Sequence, residues 1–431
     1  MIETLRNAWK IVDLRKKILY TLMILVIFRI GTAIPVPFLD PSAMADLVKQ
    51  GGNLLGFVDV ITGGAFANAT LFALSISPYI TSSIVIQLLA VAIPALERLS
   101  KEGEEGRKKL AKITRYTTVG LALVQAIAYY FLLNNMGCLS YTAGFSGVFS
   151  AIIIISCFTA GAMLIVWLGE QIDVNGIGNG ISLILFAGIV SRGWSVVTMM
   201  ISLFQAAAQG EIRFAFIAVG IVILFVAIIA FIVVMNNAER RIPVQYAKRV
   251  VGRKMYGGQS THIPIKVSMS GVLPVIFASS LLSIPGMIKG FTNPAAGSFW
   301  GSFLGAFDYN KPLYGILLFV LILAFNYFYI AIQYNPIEMA NNIRKNNGAI
   351  PGIRPGKPTS DFIAKIISRV TLVGAIFLGI IAVLPIILTQ ITGVNISLGG
   401  TSIIILVGVA LDSVRSLESQ IMMRHYKGFL E

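Results

Sequence analysis

Ten apolar runs of about bilayer-crossing length constrain this chain more than any other feature of its sequence. They lie near 18–34, 76–93, 117–133, 148–168, 181–197, 214–235, 271–288, 313–332, 370–388 and 396–411. Crossing the hydrocarbon core takes ~20 apolar residues in a helix, and in lipid every backbone N–H and C=O must be paired within the segment or in a closed barrel. Continuous runs without strict alternation select helices. The chain is 56% hydrophobic and only 12% charged, too little charged surface to solvate a soluble globule. The expected fold class is therefore an all-α polytopic membrane protein with ten transmembrane helices. The run after Lys17 is span-length and lacks a small-residue cleavage site, so it reads as the first span and not as a cleavable signal peptide. The fifth and tenth runs are short and broken by glycine, which leaves their ends open.

Lys and Arg accumulate in cytoplasmic loops near span ends. With the N-terminus inside, 28 of the 34 basic residues fall on cytoplasmic segments, five on outer ones, and Arg29 within the first span. The reverse orientation would put those 28 outside, so both termini are expected in the cytoplasm. The net charge of +15 is then concentrated on one face, where it can meet anionic lipid, RNA phosphate or an acidic protein. Ten spans split into two sets of five with opposite orientation, a parity that permits two pseudo-two-fold inverted halves. The expected organisation is a cytoplasmic N-terminus (1–17), a first half (18–197), an external hinge segment (198–213) and a second half (214–411). Long cytoplasmic loops fall at about 236–268 and 335–364, and a cytoplasmic tail at 412–431.

Segment 54–74 is a poor membrane helix, moderately apolar but broken by Asp59, Thr62, Gly63, Gly64 and Asn68. It precedes Ser77 and Pro78, a good first-turn proline, and suggests a re-entrant half-helix in a protein-lined cavity; a surface loop with one helical turn is the alternative. The two long inner loops mix Lys and Arg with Gly and Pro and show little hydrophobic periodicity, as a docking surface held away from lipid requires. They could instead serve only to set topology, although their length exceeds that need.

GIRPGKPT at 352–359 is not a phosphate loop, because three residues separate its glycines where four are needed and Pro358 follows Lys357. GIGNGIS at 176–182 lacks the spacing and the preceding strand of a dinucleotide fingerprint. Cys138, Cys157, His262 and His425 offer no metal-ligand spacing, and no hydrolase constellation lies on the spans, so no enzyme, cofactor or metal is expected. A secondary transporter usually needs a carboxylate near the midplane, and none lies mid-span here. Arg29, read as the one interior charge, would cost ~2.5–3.5 kcal/mol on insertion scales unless it meets backbone carbonyls in a protein interior. What remains is a passive conduit with an apolar interior, driven by a cytoplasmic partner. A small-solute secondary transporter is the alternative.

Ten motifs in order resemble the SecY family of bacterial protein-conducting channels. They are FRIGTAIPVP (28–37), GGAFANATLFALSISPYI (63–80), KEGEEGRKKLAKITRY (101–116), WLGEQI (167–172), GIGNGIS (176–182), QSTHIPIKV (259–267), GVLPVIFASS (271–280), GAIPGIRPG (348–356), RVTLVGA (369–375) and GGTSIIILVGVALD (399–412). The resemblance implies a channel of the bacterial cytoplasmic membrane, with two halves around an hourglass pore and a lateral gate between the second and seventh spans. It further implies SecE and SecG as companion subunits and the SecA ATPase or the ribosome as driver. SecDF and a YidC-type insertase would be further partners, signal peptides and nascent chains the passengers, and anionic lipids the surroundings.

Carried over by residue, the resemblance implies a pore ring of Ile76, Ile80, Ile181, Leu185, Ile276 and Ile405, with Leu185 in place of a common isoleucine. The first four form two i,i+4 pairs, a spacing that ordinary packing of a membrane helix also shows. The plug would comprise Phe57, Val58, Asp59, Val60, Ile61, Thr62, Gly63, Gly64, Ala65, Phe66, Ala67 and Asn68. Thr81, Gln125 and Ser268 match polar lateral-gate positions; Ser268 stands where relatives often have Asn, and reaches less far. Arg253, Lys254 and Arg354 match positions expected to touch SecA or the ribosome.

Overall fold

The computed structural model describes residues 6, 8–40, 59, 62–135, 137–142, 144–209, 213–246, 249–251, 254–256, 260–292, 298–308, 311–392 and 399–427. The first half contains α1 (Val12–Gly31), α2 (Ser77–Ala92), α3 (Pro94–Lys101), α4 (Glu104–Asn135), α5 (Gly144–Asn175), α6 (Gly180–Ser191) and α7 (Gly193–Ala208). The second contains α8 (Arg213–Asn237), β1 (Glu239–Tyr246), β2 (Arg249–Val251), β3 (Lys254–Tyr256), β4 (Ser260–Lys266), α9 (Leu273–Thr292) and α10 (Phe299–Ala306). It continues with α11 (Pro312–Gln333), α12 (Pro336–Lys345), β5 (Gly348–Ala349), α13 (Lys357–Thr392) and α14 (Gly400–Lys427).

Nine of the ten apolar runs fall mainly on a single helix, and the run 181–197 spans α6 and α7 with the break at Arg192. By length and apolarity seven helices among the described residues can cross a membrane, and the pair α2 and α3, bent by 107°, makes an eighth. The other two runs lie on α1 and α9. α1 carries Arg15, Lys16, Lys17 and Arg29, too many charges for an apolar window, and the apolar part of α9 covers only Leu273–Gly286. The bend after α2 has a local cause: Ile93 precedes Pro94, is held extended (φ −106°, ψ 114°), and cannot continue the helix. Pro78 occupies the first turn of α2, where a missing N–H costs no helical bond.

Exposed apolar side chains form long faces, as on α8 with Phe216, Val219, Val222, Ile223 and Val226, the surface that lipid covers. The largest core cluster joins both halves, from Phe28 on α1 and Ile184 on α6 to Phe277 on α9 and Ile404 on α14. A second core lies within the first half, around Tyr129, Leu133 and Phe158, with Cys138 inside it and Cys157 packed against it, neither in a disulfide.

The two long loops, which show little hydrophobic periodicity in the sequence, carry regular structure. β4, β1 and β5 form a three-stranded antiparallel sheet in that order, so the second loop pairs with the first. The signal was short: Ile242 and Val244 alternate with Pro243 and Gln245, and their side chains are buried with Ile265, Ile343, Ile350 and Ile363. Pro243 stands opposite His262 of β4, and β5 reaches no further than Gln245 and Tyr246.

Candidate functional site

The segment after α1 returns into the first half and packs against the central core. Over 62–76 it is a succession of turns and not a regular helix, because Gly63, Gly64, Ala69 and Ser75 all have positive φ (66°, 93°, 42° and 49°). Asp59 is buried and ion-paired with Arg192, and its Oδ1 accepts a hydrogen bond from the Ala67 N–H at 2.8 Å. Arg29 Nη1 donates to the Gly63 carbonyl at 3.1 Å, the carbonyl pairing expected of it, although its side chain is exposed and not in a protein interior. Tyr129 Oη donates to the Phe66 carbonyl at 2.5 Å, and Phe72 stacks on Phe28 with ring centroids 5.9 Å apart. Close approach depends on glycine: a Cβ on Gly31 would sit 2.0 Å from the Phe72 ring, and one on Gly161 2.0 Å from the Leu71 carbonyl oxygen. Among the assigned plug positions, Phe57, Val58, Val60 and Ile61 lie outside the described residues.

Arg192 corrects the sequence reading. Arg29 is not the one interior charge, because Arg192 lies at the break between α6 and α7 and neutralises a buried carboxylate. The signal was present: Arg192 falls within the apolar run 181–197, where a charge needs a partner.

Ile76, Leu185, Ile276 and Ile405 are buried in the central cluster, and Ile80 and Ile181 are half-buried against it. Ile76 caps the start of α2 and Ile80 lies one turn on, while Ile181 and Leu185 share a face of α6. α6 can start where it does because the Asn179 side chain accepts from the Ser182 N–H at 3.0 Å and Asp173 Oδ1 from the Gly180 N–H at 2.7 Å. The GIGNGIS run is thus a tight helix-to-helix turn with a capped start.

α2 and α4 both pack on α9. The three polar positions at this seam are not joined: among the described residues no hydrogen bond links Thr81, Gln125 and Ser268. The Thr81 hydroxyl donates to the Ser77 carbonyl of its own helix at 3.0 Å. Gln125 is half-buried on α4. Ser268 instead lines an open cleft of about 440 Å³ with Asn179, Ser182, Asp412 and Arg415. Arg415 spans this cleft, donating to the Asn236 carbonyl at 2.6 Å and to Asn237 Oδ1 at 3.0 Å.

Arg354 is exposed at the tip of the turn between β5 and α13, and its carbonyl accepts from Thr359 Oγ1 at 2.9 Å. Ile350 and Ile353 flank it and anchor the turn in the core of the sheet. Lys254 opens β3, and Arg253 lies outside the described residues. No group of three or more His, Cys, Asp or Glu comes together among the described residues.

The SecY family model matches residues 70–414 of this chain. Over 100% of both chains it is 43% identical to the protein translocase subunit SecY of Streptomyces coelicolor and 40% identical to that of Mycobacterium bovis. In fold it is similar to a solved protein conducting channel, with a TM-score of 0.67 and 19% identity over 94% of this chain and 92% of that one. It is likewise similar to Sec61 in the canine ribosome-channel complex from the endoplasmic reticulum, with a TM-score of 0.62 and 18% identity over 94% and 92%. Matched by its model over 70–414 and identical at 40 to 43% of positions to relatives from end to end, the chain belongs to the SecY family.

Proposed function

We propose that this chain is the central subunit of the protein translocation channel of a bacterial cytoplasmic membrane, a conduit and not a catalyst. Unfolded secretory proteins cross between its two inverted halves of five spans, and membrane segments leave sideways between α2 and α9. The observation that carries this reading is a re-entrant, polar-clamped segment packed against an apolar cluster that holds four of the six assigned ring residues and has the other two, Ile80 and Ile181, packed against it. An aliphatic constriction dewets when empty and makes only weak contacts with a passing chain, which suits a seal that must open for any sequence. The sheet-braced loops with Arg354 at their tip form the surface for SecA or the ribosome, and SecE and SecG brace the halves from outside. Ribosome engagement is supported by the likeness to a channel solved on a ribosome.

The test is reconstitution. Purified with its small companion subunits and supplied with SecA and ATP, the chain is expected to carry an unfolded precursor into vesicles, where added protease cannot reach it. Saturable uptake of a small solute by the chain alone, with no precursor transport, would overturn the proposal in favour of a secondary transporter.

A further inference from the structure

Two guanidinium groups at the outer ends of the first and fifth spans converge on the re-entrant segment. Arg192 pairs with Asp59, whose side chain is only 3% exposed. Arg29 donates to the Gly63 carbonyl, and Ser191 Oγ reaches the same oxygen at 3.5 Å. The two cations flank the glycine pair: a Cβ on Gly63 would lie 3.2 Å from Arg29 Nη1, and one on Gly64 3.4 Å from Arg192 Cζ. Arg192 Nε is buried and has no hydrogen-bond partner among the described residues, so the pocket keeps a donor that Asp59 does not use. Arg192 thus pairs with the one carboxylate that the segment supplies and keeps a spare N–H, while the exposed Arg29 and the Ser191 hydroxyl meet at the nearby Gly63 carbonyl.

The polar ties described between 59–72 and the rest of the chain run to α1, to the turn after it, to α4 and to Arg192 and Ser191. All belong to the first half. When the segment swings out of the path, both arginines stay on the wall, and a charged pocket that loses its carboxylate exposes an uncompensated double positive charge.

We infer that Arg29 and Arg192 form a carboxylate-binding site at the outer mouth of the conduit, held by Asp59 at rest and open to acidic side chains of the polypeptide in transit once the segment is displaced. The pair then selects by charge, favouring the exit of Asp and Glu and opposing that of Lys and Arg. The inference rests on the conduit reading above.

The test uses the full complex in vesicles and three precursors that differ in one mid-chain block, neutral, Asp-rich or Lys-rich. Wild type is expected to pass the Lys block slower than the neutral one by roughly threefold or more, and the penalty should shrink as salt rises. Asp59→Asn removes the resting ligand but keeps the cations, so it should raise the resting conductance and retain the Lys penalty. Arg192→Gln should raise the conductance and lose most of the penalty, and Arg192→Lys should restore it. A site that only anchors the segment predicts that D59N and R192Q behave alike in both measurements, and that result would overturn the inference. An unchanged Lys penalty in R192Q would do the same while leaving the conduit intact. A wild-type complex that fails to move even the neutral precursor would instead overturn the conduit reading, and this inference with it.

Discussion

Gln245 of β1 stands opposite Ala349 of β5 in antiparallel register, and through this pairing two loops more than ninety positions apart in the chain become one body. Their shared core is aliphatic, with Ile242, Val244, Ile265, Ile343 and Ile350 buried together, so the exposed Arg354 turn is held by packing. Gly348 is the tight point of the joint: a Cβ there would sit 2.9 Å from Tyr246 Cε1 and 3.1 Å from the Ile343 carbonyl oxygen. Gly348→Val is expected to pry the strands apart at a cost of about 1–3 kcal/mol. Limited proteolysis in membranes should then cut 335–364 faster than in wild type while the spans stay protected; an unchanged cleavage rate would show that the pairing does not hold the loops.

Arg354 tests the docking role separately from the fold. It is exposed, and the hydrogen bond that organises its turn uses its carbonyl and not its side chain, so Arg354→Glu should leave the turn in place. The expected result is loss of most SecA-driven precursor transport with normal assembly and normal proteolytic resistance. Transport at the wild-type rate would remove Arg354 from the partner surface.

Ile276 and Ile405 are buried in the central cluster on α9 and α14, and if they line the proposed pore an amide at either position would wet it. Ile276→Asn and Ile405→Asn are expected to raise ion conductance in planar bilayers severalfold, with Ile→Leu near wild type. If conductance stays at the wild-type level in both Asn variants, these residues pack the core and do not seal a pore.

How far the sequence carried depended on the range of the interaction. Runs of apolar residues report directly on spans, and Pro78 and Asn179 sit at helix starts where their chemistry belongs. The sheet of the inner loops was missed because its pattern is two alternating residues on β1, completed only by Ile265, Ile343 and Ile350 from elsewhere. The Asp59–Arg192 pair was missed for a similar reason: the two residues are distant in sequence, and a basic residue near a span end counts toward topology until its partner is seen. The gate positions show the opposite case. Thr81, Gln125 and Ser268 follow from resemblance alone, and a hydroxyl that bonds its own helix has no reach left for a neighbour.

Gly161 on α5 admits the re-entrant segment. Its hydrogen faces the Leu71 carbonyl so closely that an added Cβ would lie 2.0 Å from that oxygen and 2.9 Å from the carbonyl carbon, both backbone atoms that no rotamer change can clear. Gly161→Ala should therefore displace 69–72 and loosen the packing of Phe72 on Phe28. A raised resting conductance with little change in the amount of folded protein is expected. A variant as tight as wild type would mean that the segment can shift without breaking the seal.

Asn326 lies on α11 at 1% exposure and ties the bend before α9 to α13, accepting from the Ser270 hydroxyl and donating to the Thr371 carbonyl at 3.1 Å. Interhelical hydrogen bonds in membranes contribute only about 0.6–1.7 kcal/mol, because the unfolded chain in lipid also finds partners. The penalty comes from removing one member and stranding the others. Asn326→Ala leaves the buried Ser270 hydroxyl without its acceptor and opens a cavity, so it should lower the midpoint of unfolding in detergent by an amount worth about 2 kcal/mol. Asn326→Leu fills the cavity but still strands Ser270, and should fall between. Adding Ser270→Ala to Asn326→Leu removes the stranded group, and the double variant is expected to recover part of the lost stability. Simple additivity of the two single substitutions would show that Ser270 and Asn326 do not act as a pair, and that the bend before α9 is held by apolar packing alone.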